Sequence, residues 1–149
     1  MPEKYLSIKI IANLLGYGGV LPFLCALAGI VFGDTELVPF YMHAFLSYGA
    51  IILTFIGAVH WGLIINMQST SNCSWFMLGS VVPAIVSWIA IMLSTKVALS
   101  ILLSGFIITY VYERTLLWEL LFPDWYKRLR TNLTIIVSIH LLTVLYLSL

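Results

Sequence analysis

The side chains best suited to chemistry in this sequence are a histidine, a carboxylate and an arginine at the ends of long apolar segments. His60 lies near the end of one such segment, and Glu113 and Arg114 end another. Imidazole and carboxylate groups exchange protons, and a guanidinium binds polar head groups. Ionisable residues at membrane depth are costly and usually face a bundle interior or a cavity. The pattern therefore indicates a proton or ion site, or the head-group end of a ligand pocket.

These residues predict a polar and aromatic patch on one face of the protein. Asn13 falls at a similar depth to His60, Glu113 and Arg114, so one hypothesis is that these four form one buried cluster. The candidate ligand-binding residues of the wider patch are His60, Trp61, Glu113, Arg114, Trp125, Tyr126 and Arg130. The competing interpretation is an interfacial anchor, which aromatic and cationic residues commonly form at a cytoplasmic boundary. The sequence favours the anchor.

No motif of strong catalytic or cofactor specificity occurs. The sequence has no phosphate loop, dinucleotide fingerprint, Cys-x-x-Cys pair or His-Glu-x-x-His pattern. We therefore predict no catalytic residue, no metal site and no cofactor, and favour a protein that is not an enzyme. A haem between His60 and His140 is a weaker alternative, because it requires two lone histidines to match in depth.

Composition identifies the class of protein. Apolar residues make up 62% of the chain and charged residues 9%, whereas a soluble domain is roughly half apolar and a quarter charged. The chain is therefore expected to have the lipid bilayer as its main partner. A net charge of +1 without a long cationic run predicts no nucleic-acid binding. Contacts with other membrane proteins, or self-association, remain open.

The apolar segments predict an all-α polytopic membrane protein, a single transmembrane domain over residues 1–149 with about five helices. We place the spans near residues 10–32, 40–65, 75–94, 97–113 and 132–149. A polar turn at residues 66–74 separates the second span from the third. The fourth span is short and is expected to continue past Glu113. The segment 114–131 is expected to lie in the membrane interface, with Pro123 starting a new helical piece.

The basic residues predict the orientation. With five spans, six of the seven Lys and Arg residues fall on the side of the N-terminus, and only Lys96 falls opposite. The positive-inside rule then places the N-terminus in the cytoplasm, or in the mitochondrial matrix, and the C-terminus outside. The first apolar run is longer than the core of a secretory signal, so we expect an uncleaved first helix.

Three blocks of the sequence resemble one known family. They include Phe-x-Gly-x-x-x-Trp-Gly over 55–62 and Trp-Tyr-x-x-Leu-Arg-x-x-Leu-Thr over 125–134, preceded by a Gly-Gly-Val-Leu-Pro-Phe block at 18–23. The family is a domain-of-unknown-function family of small inner-membrane proteins that includes mitochondrial transmembrane protein 69. The resemblance implies a bacterial or mitochondrial inner-membrane protein and carries no reaction. It also singles out Pro22, Tyr48, Gly57, Trp61, Gly62, Pro123, Trp125, Tyr126, Arg130 and Thr134.

Three classes of function then compete. The first is a non-enzymatic protein that packs against, or helps assemble, a larger membrane complex, and the absent motifs and small size favour it. The second is a protein that handles a small solute, an ion or a lipid through a polar site in the cytoplasmic third of the membrane. The third is a haem- or quinone-associated redox protein.

The orientation can be tested with topology reporters. A reporter fused after Leu149 should be active on the outer side, and one inserted at Ser71 should report the inner side, because six cations fall on one side and one on the other. Protease protection of the same fusions provides the control. A reporter at Leu149 on the inner side would mean that the number of spans is even.

Overall fold

The computed structural model describes residues 2–65 and 73–148, and every regular element in those ranges is a helix. The helices are α1 (Pro2–Gly18), α2 (Leu21–Phe32), α3 (Val38–Ile65), α4 (Cys73–Ile91), α5 (Thr95–Tyr112), α6 (Trp118–Leu121) and α7 (Asp124–Leu147). A 3-10 turn, Thr35–Leu37, precedes α3, and a π-helical turn, Glu113–Leu117, joins α5 to α6.

Five helical stretches within the described residues are long and apolar enough to cross a membrane. They are Leu6–Phe32, Thr35–Ile65, Ser74–Ile91, Thr95–Leu117 and Asp124–Leu147. The predicted fold class, an all-α bundle with five helices of spanning length, is confirmed. The predicted polar turn lies outside the described residues except for Cys73 and Ser74, which begin α4.

Near the C-terminal end of the chain, the fourth helical stretch continues past Glu113, as expected, and the fifth begins earlier than the predicted residue 132. The fourth apolar stretch runs through Glu113 and Arg114 to Leu117, and the fifth begins at Asp124. Much of the segment 114–131, which we expected to lie along the interface, is therefore part of these two long helical stretches. The chain reverses between them at Phe122 and Pro123, where the backbone is extended.

The core forms where α2, α3, α5 and α7 pack together. Its fully buried side chains include Phe23 of α2, Phe45 and Leu53 of α3, Leu102 of α5 and Leu141 of α7. Many other large apolar side chains are exposed on every long helix. This pattern is expected of a bundle whose outer surface meets lipid rather than water.

The break between α1 and α2 is held by a side chain from α3. The backbone N–H groups of Gly19 and Val20 still bond back to Leu15 and Tyr17. Pro22 then stands in the first turn of α2, where its missing N–H costs nothing. The Tyr48 hydroxyl donates to the Gly19 carbonyl at 2.8 Å. This contact fixes the first spanning stretch against α3.

At Gly57 the backbones of α3 and α4 come close together. A Cβ atom at this position would collide with the backbone carbonyl oxygen of Ser80 and would also press on the ring of Pro83. Because backbone cannot move aside as a flexible side chain can, only glycine permits this contact. The contact places the neighbouring His60 against the interior of the bundle.

Alanine substitutions can test this packing. Gly57→Ala should lower the free energy of unfolding by about 1–3 kcal/mol, the usual cost of overpacking, as measured by denaturation in mixed micelles. Gly62→Ala is the matched control on the same helix, because nothing in the described part of the chain lies within 4 Å of a Cβ there. Equal stability of the two variants would contradict the close contact.

Candidate functional site

A π-helical turn carries the central carboxylate of the site. After Tyr112 the helix widens over Glu113–Leu117. The side chains of Glu113 and Leu117 are buried, whereas Arg114 is exposed. Single π turns within α-helices occur frequently at functional sites, because they change the direction of one side chain without ending the helix.

Glu113 binds a partner from each of two other helices. Its Oε1 lies 2.7 Å from Nε2 of His60 on α3, and its Oε2 accepts a 2.7 Å hydrogen bond from Nε of Arg130 on α7. Nη1 of Arg130 donates to the Thr134 hydroxyl at 3.0 Å. We call His60, Glu113, Arg130 and Thr134 the Glu113 cluster. It ties α3, α5 and α7 together.

The Glu113 cluster is deeply buried and balanced in charge. The side chains of His60 and Glu113 are each 1% exposed and that of Arg130 is 7% exposed. Arginine remains protonated in proteins, so one guanidinium already matches the one carboxylate. A second buried cation would be uncompensated and costly. We therefore assign His60 as neutral, donating its Nε2–H to Glu113 and leaving Nδ1 as an acceptor.

Aromatic rings cover the Glu113 cluster. The rings of Tyr112 and Phe122 lie 6.1 and 6.4 Å from the His60 ring, centroid to centroid. Tyr126 stacks on Phe122 at 4.8 Å, and the Trp125 ring meets Tyr126 edge-on at 5.8 Å. The reversal at Pro123 brings these rings over the cluster. They exclude water and lower the local dielectric, which strengthens the ionic contacts.

Unused hydrogen-bonding capacity is concentrated at this end of the bundle. Among the described residues, the buried polar side-chain atoms without a partner include Nδ1 of His60, the Tyr112 hydroxyl and Nη2 of Arg130. The indole N–H groups of Trp118 and Trp125 are also buried without a partner in the described ranges. Buried polar atoms in native proteins are nearly always satisfied by protein, water or ligand. The cluster can therefore bind more than it binds here.

The structure brings together only part of the predicted patch. His60, Glu113 and Arg130 are in direct contact, with Tyr126 and Trp125 beside them. Arg114 instead lies over the Trp118 ring at 5.1 Å, and Trp61 is 45% exposed. Successive residues on a helix point to different faces. The side chains that directly follow His60 and Glu113 in the sequence, Trp61 and Arg114, therefore face outward.

The expected cluster of Asn13, His60, Glu113 and Arg114 is only half present. Asn13 is half-buried and its side-chain amide donates to the carbonyl of Lys9 on its own helix. Thr134, Tyr112 and Phe122 were not among the predicted site residues. Thr134 entered the sequence analysis only through the family resemblance, although its position one turn after Arg130 is a usable signal.

A large apolar cavity lies beside the Glu113 cluster, between α1, α2, α3 and α7. Its volume is about 530 Å³. Its wall is formed by Ala12, Leu15, Gly16, Gly19, Val20, Phe23, Tyr48, Ile51, Ile52, Phe55, Ile56, Val59, Phe106, Tyr126, Leu129, Arg130, Leu133 and Val137. Among these residues, only Tyr48, Tyr126 and Arg130 have polar side chains. The cavity is therefore mostly apolar, and it is partly open to the outer surface of the bundle, where the wall residues Leu15, Ile51 and Phe55 are exposed.

The two histidines of the haem alternative have different surroundings. His60 Nε2 contacts Glu113, whereas Nδ1 of His140 lies 2.7 Å from the Ile136 carbonyl of its own helix, with its ring near Phe23. In the described part of the chain, no three His, Cys, Asp or Glu side chains are grouped as a metal site requires.

Comparisons with known proteins identify the family. The model of a family described as "Protein of unknown function (DUF3429)" matches residues 8–146. The chain belongs to this family. It is 32% identical over 138 residues to transmembrane protein 69 of Xenopus tropicalis, covering 87% of this chain and 51% of that protein. The mouse (Mus musculus) protein of the same name is 29% identical over 133 residues, covering 87% and 53%.

The DUF3429 chain thus spans about half the length of the curated relatives it matches. No solved structure matches it. The resemblance noted in the sequence is confirmed, as is the assignment as a membrane protein.

A double-mutant cycle can test the ionic contact at the centre of this DUF3429 protein. Glu113→Ala should lower the free energy of unfolding by about 3–5 kcal/mol, because it leaves the guanidinium of Arg130 buried without a counter-charge. The double variant, Glu113→Ala with Arg130→Ala, should lose less free energy of unfolding than the two single variants lose in sum. The difference should be about 1–3 kcal/mol.

Glu119→Ala is the control for that cycle. The carboxylate of Glu119 also accepts a hydrogen bond from a cation, with 3.0 Å between its Oε1 and Nζ of Lys127. The Glu119 side chain, however, is 89% exposed. Removing such a surface pair should cost no more than about 1 kcal/mol. Strict additivity of the Glu113 and Arg130 losses would contradict the coupling.

Proposed function

We propose that this protein binds one lipid-soluble molecule, with the apolar body of the molecule in the cavity and its polar end at the Glu113 cluster. The observation that carries the proposal is the cavity of about 530 Å³ whose wall includes Arg130. Small-molecule sites are typically clefts of about 300–1,000 Å³ with apolar walls and a few polar groups that fix orientation.

Burial of the polar residues supports this proposal over an interfacial anchor. An anchoring arginine extends its charged end toward the water and head groups. Arg130 is instead 6% exposed and bonded to Glu113 and Thr134 inside the bundle. Keeping such a group in the interior costs desolvation free energy. A binding role at the cavity gives a reason for retaining it.

The proposal selects the ligand-handling hypothesis from the three that the sequence leaves open. A protein that only packs against a larger complex needs apolar outer faces, which any membrane bundle has. It does not need a cavity of this size beside a buried guanidinium. The packing and assembly role stays a prediction and is compatible with ligand binding.

The proposed location is the inner membrane of a bacterium or of a mitochondrion, with the N-terminus inside. The distribution of Lys and Arg residues supports the orientation. The match to transmembrane protein 69 supports a membrane location. In this orientation the Glu113 cluster lies in the half of the membrane nearer the cytoplasm or matrix.

Filling the cavity tests the proposal. Val59 lies on the cavity wall, so Val59→Trp should displace a bound molecule. Protein purified in mild detergent is compared by native mass spectrometry, and organic extracts of the same samples are analysed for lipophilic compounds. The wild type should carry one small molecule per chain, and Val59→Trp should lose at least about nine-tenths of it, because a blocked site cannot accommodate the ligand.

Val111→Trp is the matched control. Val111 is 50% exposed on α5 and does not line the cavity. This variant should retain the bound molecule and should unfold at the same temperature as the wild type. Identical bound compounds in wild type and Val59→Trp, both folded, would refute the proposed function.

A further inference from the structure

The hydrogen bonds of Arg130 leave its Nη2 group, with two N–H donors, free for a ligand. Its Nε is used by Glu113 and its Nη1 by Thr134. Its Nη2 is buried and has no partner among the described residues. A buried donor without an acceptor is energetically unfavourable. A ligand that places an acceptor atom there relieves this cost.

The charge balance of the Glu113 cluster determines which acceptor fits. Arg130 lies 2.7 Å from the Glu113 carboxylate, so its positive charge is already neutralised. An anionic head group at Nη2 would also meet the charge of Glu113 in a medium of low dielectric, where repulsion is strong. A neutral carbonyl oxygen accepts the same N–H without adding charge. The site therefore discriminates against carboxylates and phosphates.

The wall of the cavity indicates the body of the ligand. Five of its residues are aromatic: Phe23, Tyr48, Phe55, Phe106 and Tyr126. Phe23 already makes edge contacts with other rings, at 5.0 Å to Tyr48. Rings that pack in offset-stacked or edge-to-face geometry attract one another beyond the effect of the area they bury, so this wall suits a flat ring. Apart from Gly16, Gly19 and Arg130, the remaining wall residues are aliphatic and suit an apolar tail.

We infer that the ligand is a lipid-soluble quinone, an uncharged flat ring whose carbonyl oxygen accepts a hydrogen bond from Nη2 of Arg130. This inference rests on the proposed function and specifies its ligand. No electron transfer is part of it. Because Nη2 is covered, the carbonyl reaches it only after a side chain moves. Tyr126 lies on the same wall four residues before Arg130 and is half-buried, so we assign this movement to Tyr126.

Competitive binding of three probes tests the ligand class. Protein in phosphatidylcholine nanodiscs is titrated with decylubiquinone, with dioctanoylglycerol and with decanoate, and bound ligand is measured by native mass spectrometry. Decylubiquinone should bind one per chain and at least about tenfold more tightly than decanoate, whose carboxylate is repelled by Glu113. It should also bind more tightly than dioctanoylglycerol, whose ester carbonyls can accept the same hydrogen bond but which has no flat ring to pack against the aromatic wall. Equal or tighter binding of dioctanoylglycerol or decanoate would overturn the inference.

A charge variant tests the electrostatic reason. Glu113→Gln removes the counter-charge and leaves Arg130 as an uncompensated cation. Decanoate should then bind at least about tenfold more tightly than it binds the wild type. An unchanged affinity for decanoate in folded Glu113→Gln would contradict the charge argument. If this variant does not fold, the order of the three probes on the wild type decides the matter.

Val59→Trp separates failure of this inference from failure of the proposed function. If Val59→Trp abolishes the binding of none of the three probes, the proposed function and the quinone assignment both fail. If dioctanoylglycerol or decanoate binds in that manner and decylubiquinone does not, the cavity is a ligand site and only the quinone assignment is wrong.

Discussion

The buried contact between Glu113, Arg130 and His60 constrains the arrangement of this bundle. An unpaired charge in a membrane interior costs several kcal/mol, so each of the three side chains must stay where its partner is. The carboxylate accepts from α7 through Arg130 and pairs with α3 through His60. This fixes the depth of three helices relative to one another. Apolar packing alone fixes depth less strictly, because apolar faces in lipid can slide with little change in contact.

Three backbone features make this contact possible. The π turn at Glu113–Leu117 directs Glu113 inward, and the close approach of α3 to α4 at Gly57 places His60 one turn away against the interior. The chain reversal at Pro123 then returns α7 with Arg130 at the level of Glu113. The same reversal brings Phe122 and Tyr126 over the contact. The polar site and the end of the apolar cavity thus depend on the same three features.

Membership of a family of unknown function leaves the activity to be argued from the site. The DUF3429 match and the likeness to transmembrane protein 69 show a membrane protein without supplying a reaction. The cavity and the Glu113 cluster supply the chemical argument. A neutralised guanidinium whose Nη2 group has no partner in the described part of the chain, beside an aromatic wall, is the basis of our proposal that the site binds an uncharged lipophilic molecule.

The sequence by itself determined that the protein is helical and has five stretches of spanning length, because apolar segments of that length appear directly in the order of residues. It also determined that His60, Glu113 and Arg130 belong near one end of the bundle. It could not determine which charged side chain turns inward. Glu113 and Arg114 are neighbours. Only the widened π turn and the packing of α7 decide that Glu113 is buried, while Arg114 is exposed and lies over the Trp118 ring. The cavity likewise depends on the distances between α1, α2, α3 and α7, which no local pattern in the sequence encodes.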